Sequence, residues 1–448
     1  MSSRRQSGLS PSAREALLGV VSRLKMSQPA ADLASPFESM TDFTTLPGFR
    51  ELKLQRSMAD LVGIENPFFR LHDQRAGATT VIGGQTFHNF SSYDYLGLNA
   101  HPEVAAAAIA AIGHYGTSAS ASRVVAGERP IHRALEELIA QHYGQEDSVV
   151  FVSGHATNVS TISTLLGPKD LIVYDSLAHN SIITGAAFSG AERQAFAHND
   201  PIALNSLLEA ARPRYQRVLI VIEGLYSMDG DFPDLKAFVE IKRRHGAWLM
   251  VDEAHSLGVL GKTGRGLFEQ CDVDPRDVDL WMGTLSKTLA GCGGYIAGCK
   301  PLVEILKCTA GGFVYSVGLS PPIAAAALTA LTILHREPER VERLRANGDL
   351  FRSLARAQGL DTGLSTGLAI IPLVLGDSLI AVALGQELFI RGINVQPIIH
   401  PAVPEKSARL RFFVTSEHRE DQIRETIVVA SEALKVIGDG KSILTRAK

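Results

Sequence analysis

The chain has no surplus of charge of either sign. Its 448 residues carry 44 Lys and Arg against 47 Asp and Glu, a formal net charge of −3. No run of Lys or Arg stands out, so neither nucleic acid nor an anionic membrane surface is indicated as a partner. Long hydrophobic runs are missing too. The longest, PPIAAAALTALTIL at 321–334, falls short of the roughly 18 residues that read as a membrane-spanning helix. Arg4 and Arg5 are followed by no apolar h-region, so no signal peptide is expected. Cysteine is scarce, at positions 271, 292, 299 and 308, with no CxxC pair. That pattern suits the reduced, partly buried thiols of a cytoplasmic enzyme rather than a disulfide framework. No grouping of His, Cys or acidic residues has metal-ligand spacing, so no catalytic metal is expected. There is no internal repeat.

What is present is an ordinary globular composition, 45% apolar and 20% charged, long enough for two or three subdomains. Residues 1–45 are rich in Ser, Ala, Pro and Arg. Within them, 11–26 has helical spacing, with Leu17, Val20, Val21 and Leu24 on one face and Ser12 as a cap. Two readings of this segment stand side by side, a docking or packing arm and a mobile leader. Gly83-Gly84 reads as a hairpin turn, and His101-Pro102 as a helix start. Short β-branched runs at 147–153, 171–176, 217–230 (a strand and loop), 247–252 and 279–282 then alternate with helical stretches. Such alternation predicts a mostly parallel sheet with helices on both faces. From about 325 a long helical region (321–357) leads into a smaller α+β unit. The expected organisation is an N-terminal extension (1–85), a large domain (86–325) and a small C-terminal domain (326–448).

In a parallel sheet, ligands bind at the carboxyl ends of the strands. The polar residues that draw attention all stand at such ends. They include Ser153-Gly154-His155, His179, Glu223 with Ser227, Asp252 with His255, and Thr284 to Lys287. The stretch WMGTLSKTLAGCGGYIAG (281–298) sets Lys287 among small hydroxyl residues and glycines, which let backbone approach a bound group closely. A lone lysine in such a loop is more often a solvated one. The acid and imidazole that end the preceding apolar strand, in VDEAHSLG, shift the balance. Together they fit a Schiff-base lysine for an aldehyde cofactor, an acid for its pyridinium nitrogen and hydroxyls for its phosphate. The GKTGRG segment (261–266) has the wrong order for a P-loop, and it reads with Glu253 as a structural turn.

Nine segments, in order from about 90 to 420, resemble one family. They are SSYDYLGL, SRVVAGERPIHRALE, FVSGHATN, YDSLAHNSI, IEGLYSMDGD, VDEAHSLGVLGKTGRG, GTLSKTLAGCGGY, FVYSVGLSPP and HPAVPEKSARLRFFVTSEH. Together they resemble the α-oxoamine synthases, pyridoxal-phosphate enzymes of fold type I. The resemblance implies a pyridoxal 5'-phosphate cofactor bound to Lys287, which also serves as the base. It implies Asp252 at the pyridinium nitrogen, His255 near the phenolic oxygen and His179 over the ring face. Gly154, His155, Thr284 and Ser286 match the phosphate-binding positions, and Ser227 the ring's polar edge. Ser316 resembles a residue that reaches the neighbouring subunit's phosphate, which implies a homodimer with shared sites. Arg411 matches the arginine for the amino-acid carboxylate, with Thr415 nearby. Alternation puts Arg409 on the same face, so pattern alone does not choose between the two.

Tyr93 resembles the serine palmitoyltransferase branch, where many glycine- and alanine-using relatives have Asn. The implied reaction is a decarboxylative condensation of an amino acid, serine favoured, with an acyl thioester, giving an α-amino ketone, CO2 and a free thiol. The segments HYGTSASASRVVAGERPIHR and SGHATNVSTI also resemble synthases attached to assembly lines. An acyl carrier protein is therefore an alternative to acyl-CoA as donor. Two rival readings are an aminotransferase or aldolase of the same fold, and a catalytically silent partner subunit.

Overall fold

The computed structural model describes residues 38–61 and 65–438. The helix expected over 11–26 lies outside them. A helix at Pro47–Leu61 precedes a hairpin of β1 (Thr79–Ile82) and β2 (Gln85–Asn89). Gly83 and Gly84 form its turn at φ of 57° and 78°, a left-handed conformation that glycine adopts without a Cβ clash.

The centre of the molecule is a seven-stranded sheet. Its strands are β3 (Asp147–Phe151), β4 (Leu171–Asp175), β5 (Glu192–Phe196), β6 (Val218–Glu223), β7 (Trp248–Asp252), β8 (Leu280–Thr284) and β9 (Gly294–Gly298). They lie in the order β3-β9-β8-β7-β6-β4-β5. All run parallel except β9, which is antiparallel to both its neighbours. The fold is that of the type I pyridoxal-phosphate enzymes, as expected. Every residue of β6 is buried, because helices cover both faces and the run VLIVI meets apolar side chains on each. Burying one such Ile or Leu contributes about 1.5–3 kcal/mol.

Two strands go beyond the sequence reading. In β9, GYIAG, three apolar residues between glycines pass for more of the glycine loop. In β5, ERQAF, only the last residue is buried, as suits an edge strand with no long apolar run. The thiols also differ from expectation. Cys271 is half-buried, whereas Cys292, Cys299 and Cys308 are exposed, because each sits at a loop or on the outer face of a helix.

The C-terminal part holds β10 (Ile370–Val374), β11 (Ile393–Asn394), β12 (Gln396–Ile398) and β13 (Arg409–Phe413). Strands β10, β13 and β12 form an antiparallel sheet, while β11 joins β2 in parallel. The core of this part includes Phe90, Phe351 and Phe412, whose ring centres lie 4.9–5.7 Å apart in tilted and edge-on contacts. Phe90 immediately follows β2 and leads into 91–94, so that packing ties the segment carrying Tyr93 to β13, which carries Arg411. Among the described residues, no helix is long and apolar enough to cross a membrane.

Candidate active site

Parallel strands bring their carboxyl ends to one edge, and register does the rest. Glu223 on β6 pairs with Asp252 on β7, and Asp252 with Met282 on β8. Thr284 at the end of β8 pairs with Gly294 on β9. Lys287 follows in the turn after β8. It borders a cavity of about 280 Å³ lined also by Ser91, Ser92, Tyr93, Asp94 and Ser286. Its amine stands 5.8 Å from the centre of the Tyr93 ring. Burial pulls the amine down to about 8, against the upward pull of the Asp252 and Glu223 charges.

Asp252 is 4% exposed. Its Oδ1 accepts from the Ala254 N–H at 2.9 Å and its Oδ2 from the Asn158 amide at 2.8 Å. Three residues on, His255 is buried and held well below the usual imidazole range, by burial first and then by the charges of Lys287 and Arg411. Its Nδ1 lies 2.7 Å from the Tyr95 hydroxyl. His179 caps the helix Asn180–Ser189. Its backbone N–H donates to Glu223 Oε1 at 2.6 Å, and its Nδ1 meets the Ser181 hydroxyl at 2.7 Å. Burial, reinforced by the Asp252 charge, pushes Glu223 up to about 8.

Opposite the carboxylates, the helix Gly154–Leu165 points its start at β8 and β9. The packing there explains the glycines. A Cβ on Gly154 would stand 2.9 Å from the Thr284 Oγ1, and one on Gly294 would stand 2.8 Å from the Gly154 Cα. Gly154, which with His155 begins this helix, lies against the Thr284 hydroxyl, and that hydroxyl donates to the Gly293 carbonyl at 2.9 Å. The Ser286 hydroxyl is 3.2 Å from that of Thr284. Helix-start N–H groups beside hydroxyls form a ready anion site. An amine, a buried carboxylate and an anion cradle gathered at one edge of the sheet fit the aldehyde, ring nitrogen and phosphate of pyridoxal phosphate.

The two arginines of β13 have different partners. Arg409 is 7% exposed and pairs with Asp229 at 2.6 Å, while also donating to the Met228 carbonyl at 3.0 Å. Arg411 donates from Nη1 to the Ser227 carbonyl at 3.0 Å and to the Met228 sulfur at 3.3 Å. Its Nε is buried with no partner, and its charge acts on Lys287 and His255. Tyr93 stands edge-on to Phe413 at 4.7 Å, and its phenol raises the proton affinity of the Arg411 guanidinium against the lowering by burial. Thr415 is 1% exposed, and its hydroxyl is taken up in the turn to His418 at 3.0 Å. Ser316 lies apart from these groups, between exposed Tyr315 and Val317.

Three polar groups behind the site were not singled out from sequence, namely Asn158, Ser181 and Tyr95. Asn158 and Ser181 fall within the family-like segments FVSGHATN and YDSLAHNSI, which is the only signal that could have raised them. A further group holds the loop that contacts both arginines. His198 bridges Asp175 and Asp231 at 2.9 Å each. Burial pulls its proton affinity down, but the two carboxylates outweigh that and raise it to about 10. Because the folded value exceeds the unfolded one, this clamp stabilises fully below pH 6.5 and is lost as pH rises through about 10. We expect His198→Gln to lower the melting temperature most below pH 6.5, with the gap to wild type closing by about pH 10. Thermal melts across that range check it, and a gap independent of pH would contradict it.

The comparisons with known proteins agree with this geometry. The family described as aminotransferase class I and II matches residues 85–429. The Beijerinckia indica protein named 8-amino-7-oxononanoate synthase is 41% identical over 342 residues, 76% of this chain and 86% of that protein. A solved serine palmitoyltransferase from Sphingomonas wittichii superposes with a TM-score of 0.84 at 31% identity, covering 89% of this chain and all of that one. Another, from S. paucimobilis with bound PLP, gives 0.85 at 30% identity, covering 89% and 100%. Fold, site and relatives together define a pyridoxal-phosphate-dependent transferase of fold type I. Within that class the chain belongs to the α-oxoamine synthase family and is a C-acyltransferase.

Proposed function

We propose that the chain condenses L-serine with an acyl thioester, with loss of CO2, to give an α-amino ketone and a free thiol. The observation that carries the amino-acid half is the buried Arg411 Nε without a partner, since a guanidinium fork suits a carboxylate. The preference for serine rests on Tyr93, whose phenol stands among Arg411, His255 and Lys287.

Bound pyridoxal phosphate supplies an electron sink that makes the amino-acid Cα proton acidic. The residues of the chain do the rest. The helix start at Gly154 and His155, with Thr284 and Ser286, would hold the phosphate. Asp252 would hold the ring nitrogen, His179 the ring face and His255 the phenolic oxygen, with Ser227 at the polar edge. Lys287 would carry the cofactor, and its Nζ would then take the Cα proton. The Cα bonds to the thioester carbonyl carbon as the carbon–sulfur bond breaks and the thiol leaves. CO2 departs from the former carboxylate, and a proton returns to Cα. Arg411 and Tyr93 keep that carboxylate in place through the carbon–carbon step.

A homodimer goes with this reading. Tyr315 is 89% exposed and Val125 82%, apolar side chains on segments that pack together, and a second copy over them would bring Ser316 to its phosphate. The proposed organisation remains an extension over 1–85, a cofactor-binding domain over 86–325 and a small domain over 326–448.

A second reading takes alanine as the amino acid. It rests on the relatives' name, because 8-amino-7-oxononanoate carries its amine beside a terminal methyl group, as a product of alanine would. The donor is acyl-CoA or an acyl carrier protein thioester, the latter with residues 1–45 as a docking element. The test is the visible absorbance of the holoenzyme titrated with serine, alanine and glycine separately. A saturable shift with serine alone is expected, and a response to alanine alone replaces serine. Turnover with acyl-CoA and with acyl carrier protein then follows, using chains with and without residues 1–45. Unchanged carrier-dependent turnover after that deletion overturns the docking reading.

A further inference from the structure

We infer that Asn158 and Ser181 are positioning residues that keep His179 a neutral imidazole with its proton on Nε2. The inference rests on the reading that His179 lies over the cofactor ring.

The argument begins with Asn158, on the helix Gly154–Leu165 and 1% exposed. Its Nδ2 lies 2.8 Å from Asp252 Oδ2 and 2.9 Å from Ser181 Oγ. An amide oxygen turned toward Asp252 would set two acceptors face to face, so the amide NH2 must point there. Both its hydrogens are then committed, one to the carboxylate and one to the Ser181 oxygen. Ser181 is equally buried, on the helix Asn180–Ser189. Because its oxygen accepts from Asn158, its own hydrogen is left to donate to His179 Nδ1 at 2.7 Å. The Ser181 backbone N–H points at the same nitrogen from 3.3 Å. Two donors converge on Nδ1, so that nitrogen carries a lone pair and the ring proton sits on Nε2.

Protonating Nδ1 would set an N–H against the Ser181 backbone N–H. It would also take from the buried Ser181 hydroxyl hydrogen the acceptor that stands 2.7 Å away. Burial lowers the proton affinity of His179 most, and the charged groups around the ring act in both directions. Asp252 favours the imidazolium, whereas Lys287, His155 and Arg411 oppose it. Glu223 accepts from the backbone N–H of His179 and fixes where the ring starts. The bridge through Asn158 also joins the acid proposed for the ring nitrogen to the imidazole proposed for the ring face. A neutral ring can lie flat on a cationic pyridinium, whereas an imidazolium would be repelled by it.

The direct test is nitrogen NMR of the full-length apoprotein labelled with ¹⁵N-histidine, with the His179 signals assigned by their loss in His179→Gln. At neutral pH, Nδ1 is expected to be unprotonated and Nε2 protonated. The reverse pattern, or an imidazolium, overturns the inference without any variant. In Ser181→Ala the midpoint for His179 protonation is expected to rise by about one pH unit, a tenfold gain in proton affinity. Ser181→Thr, which keeps the hydroxyl, is expected to return it to within about a third of that shift. Should Ser181→Ala not fold, Asn158→Ser carries the same test with the same direction. An unmoved midpoint in the folded variant refutes the inference. For the holoenzyme, Ser181→Ala is expected to weaken pyridoxal-phosphate binding about tenfold, measured by equilibrium dialysis without substrate. None of these readouts requires condensation activity, so a wrong substrate assignment leaves them standing.

Discussion

Lys287→Ala is expected to fold and to lose turnover by about 10⁴-fold or more. Among the residues lining the cavity no other amine is present, so no neighbour can take over the attachment or the proton. The same burial that makes Lys287 useful also makes it costly to the fold. Its amine titrates near 8 rather than 10.5, and the unfolded chain therefore binds the more protons between those values. Stability of the wild-type apoprotein should thus rise with pH from about 8 to 10.5, relative to Lys287→Ala, because the buried charge is being removed. Thermal melts of the two apoproteins across that window check the sign. Capture of added pyridoxal phosphate by the wild-type apoprotein should likewise accelerate as pH passes about 8, followed as growth of the bound-cofactor absorbance. Capture that accelerates only near 10.5 would mean that Lys287 is not depressed, and the assignment of Lys287 as attachment point and base would lose its physical support.

The central strands could be read from sequence because they are short apolar runs that end in polar residues. The run WLMVD stops at Asp252 and VLIVIE at Glu223, and parallel packing lines those ends up whatever the tertiary detail. The helix starts at His101-Pro102 and at Gly154 were legible for a similar reason, since their chemistry is local. What was hidden depends on partners far apart in the chain. Arg409 and Arg411 look alike in RLRFF, and only the ion pair with Asp229, 180 residues away, separates them. Asn158 reaches Ser181 across 23 residues and Asp252 across 94, and no local pattern distinguishes it from any other helical asparagine. Strand β9 is hidden for a different reason. Its glycines are there so that the helix start at Gly154 can press against the sheet, and the same glycines erase the apolar run by which a strand is recognised.

The arginine pair yields the sharpest separation of function from stability. Arg411→Leu is expected to raise the KM for the amino acid by about 10²-fold, with the melting temperature little changed. The magnitude corresponds to about 3 kcal/mol, the usual loss when one partner of a buried charged pair is removed. The effect should fall on the amino acid and leave the KM for the acyl donor within about a factor of two, since only the carboxylate loses its fork. Arg411→Lys should recover little of it, because a point charge on a flexible stem replaces a planar donor set held by the Ser227 carbonyl and the Met228 sulfur. Arg409→Leu should behave in the opposite way. It strands Asp229, whose side chain is 14% exposed, and removal of one partner from such a pair costs about 3–5 kcal/mol of stability. Its melting temperature should drop sharply, while the KM of whatever folded enzyme remains moves far less than in Arg411→Leu. If the two variants exchange these phenotypes, the carboxylate belongs to Arg409, and the loop 226–231 must rearrange when substrate binds to free it from Asp229.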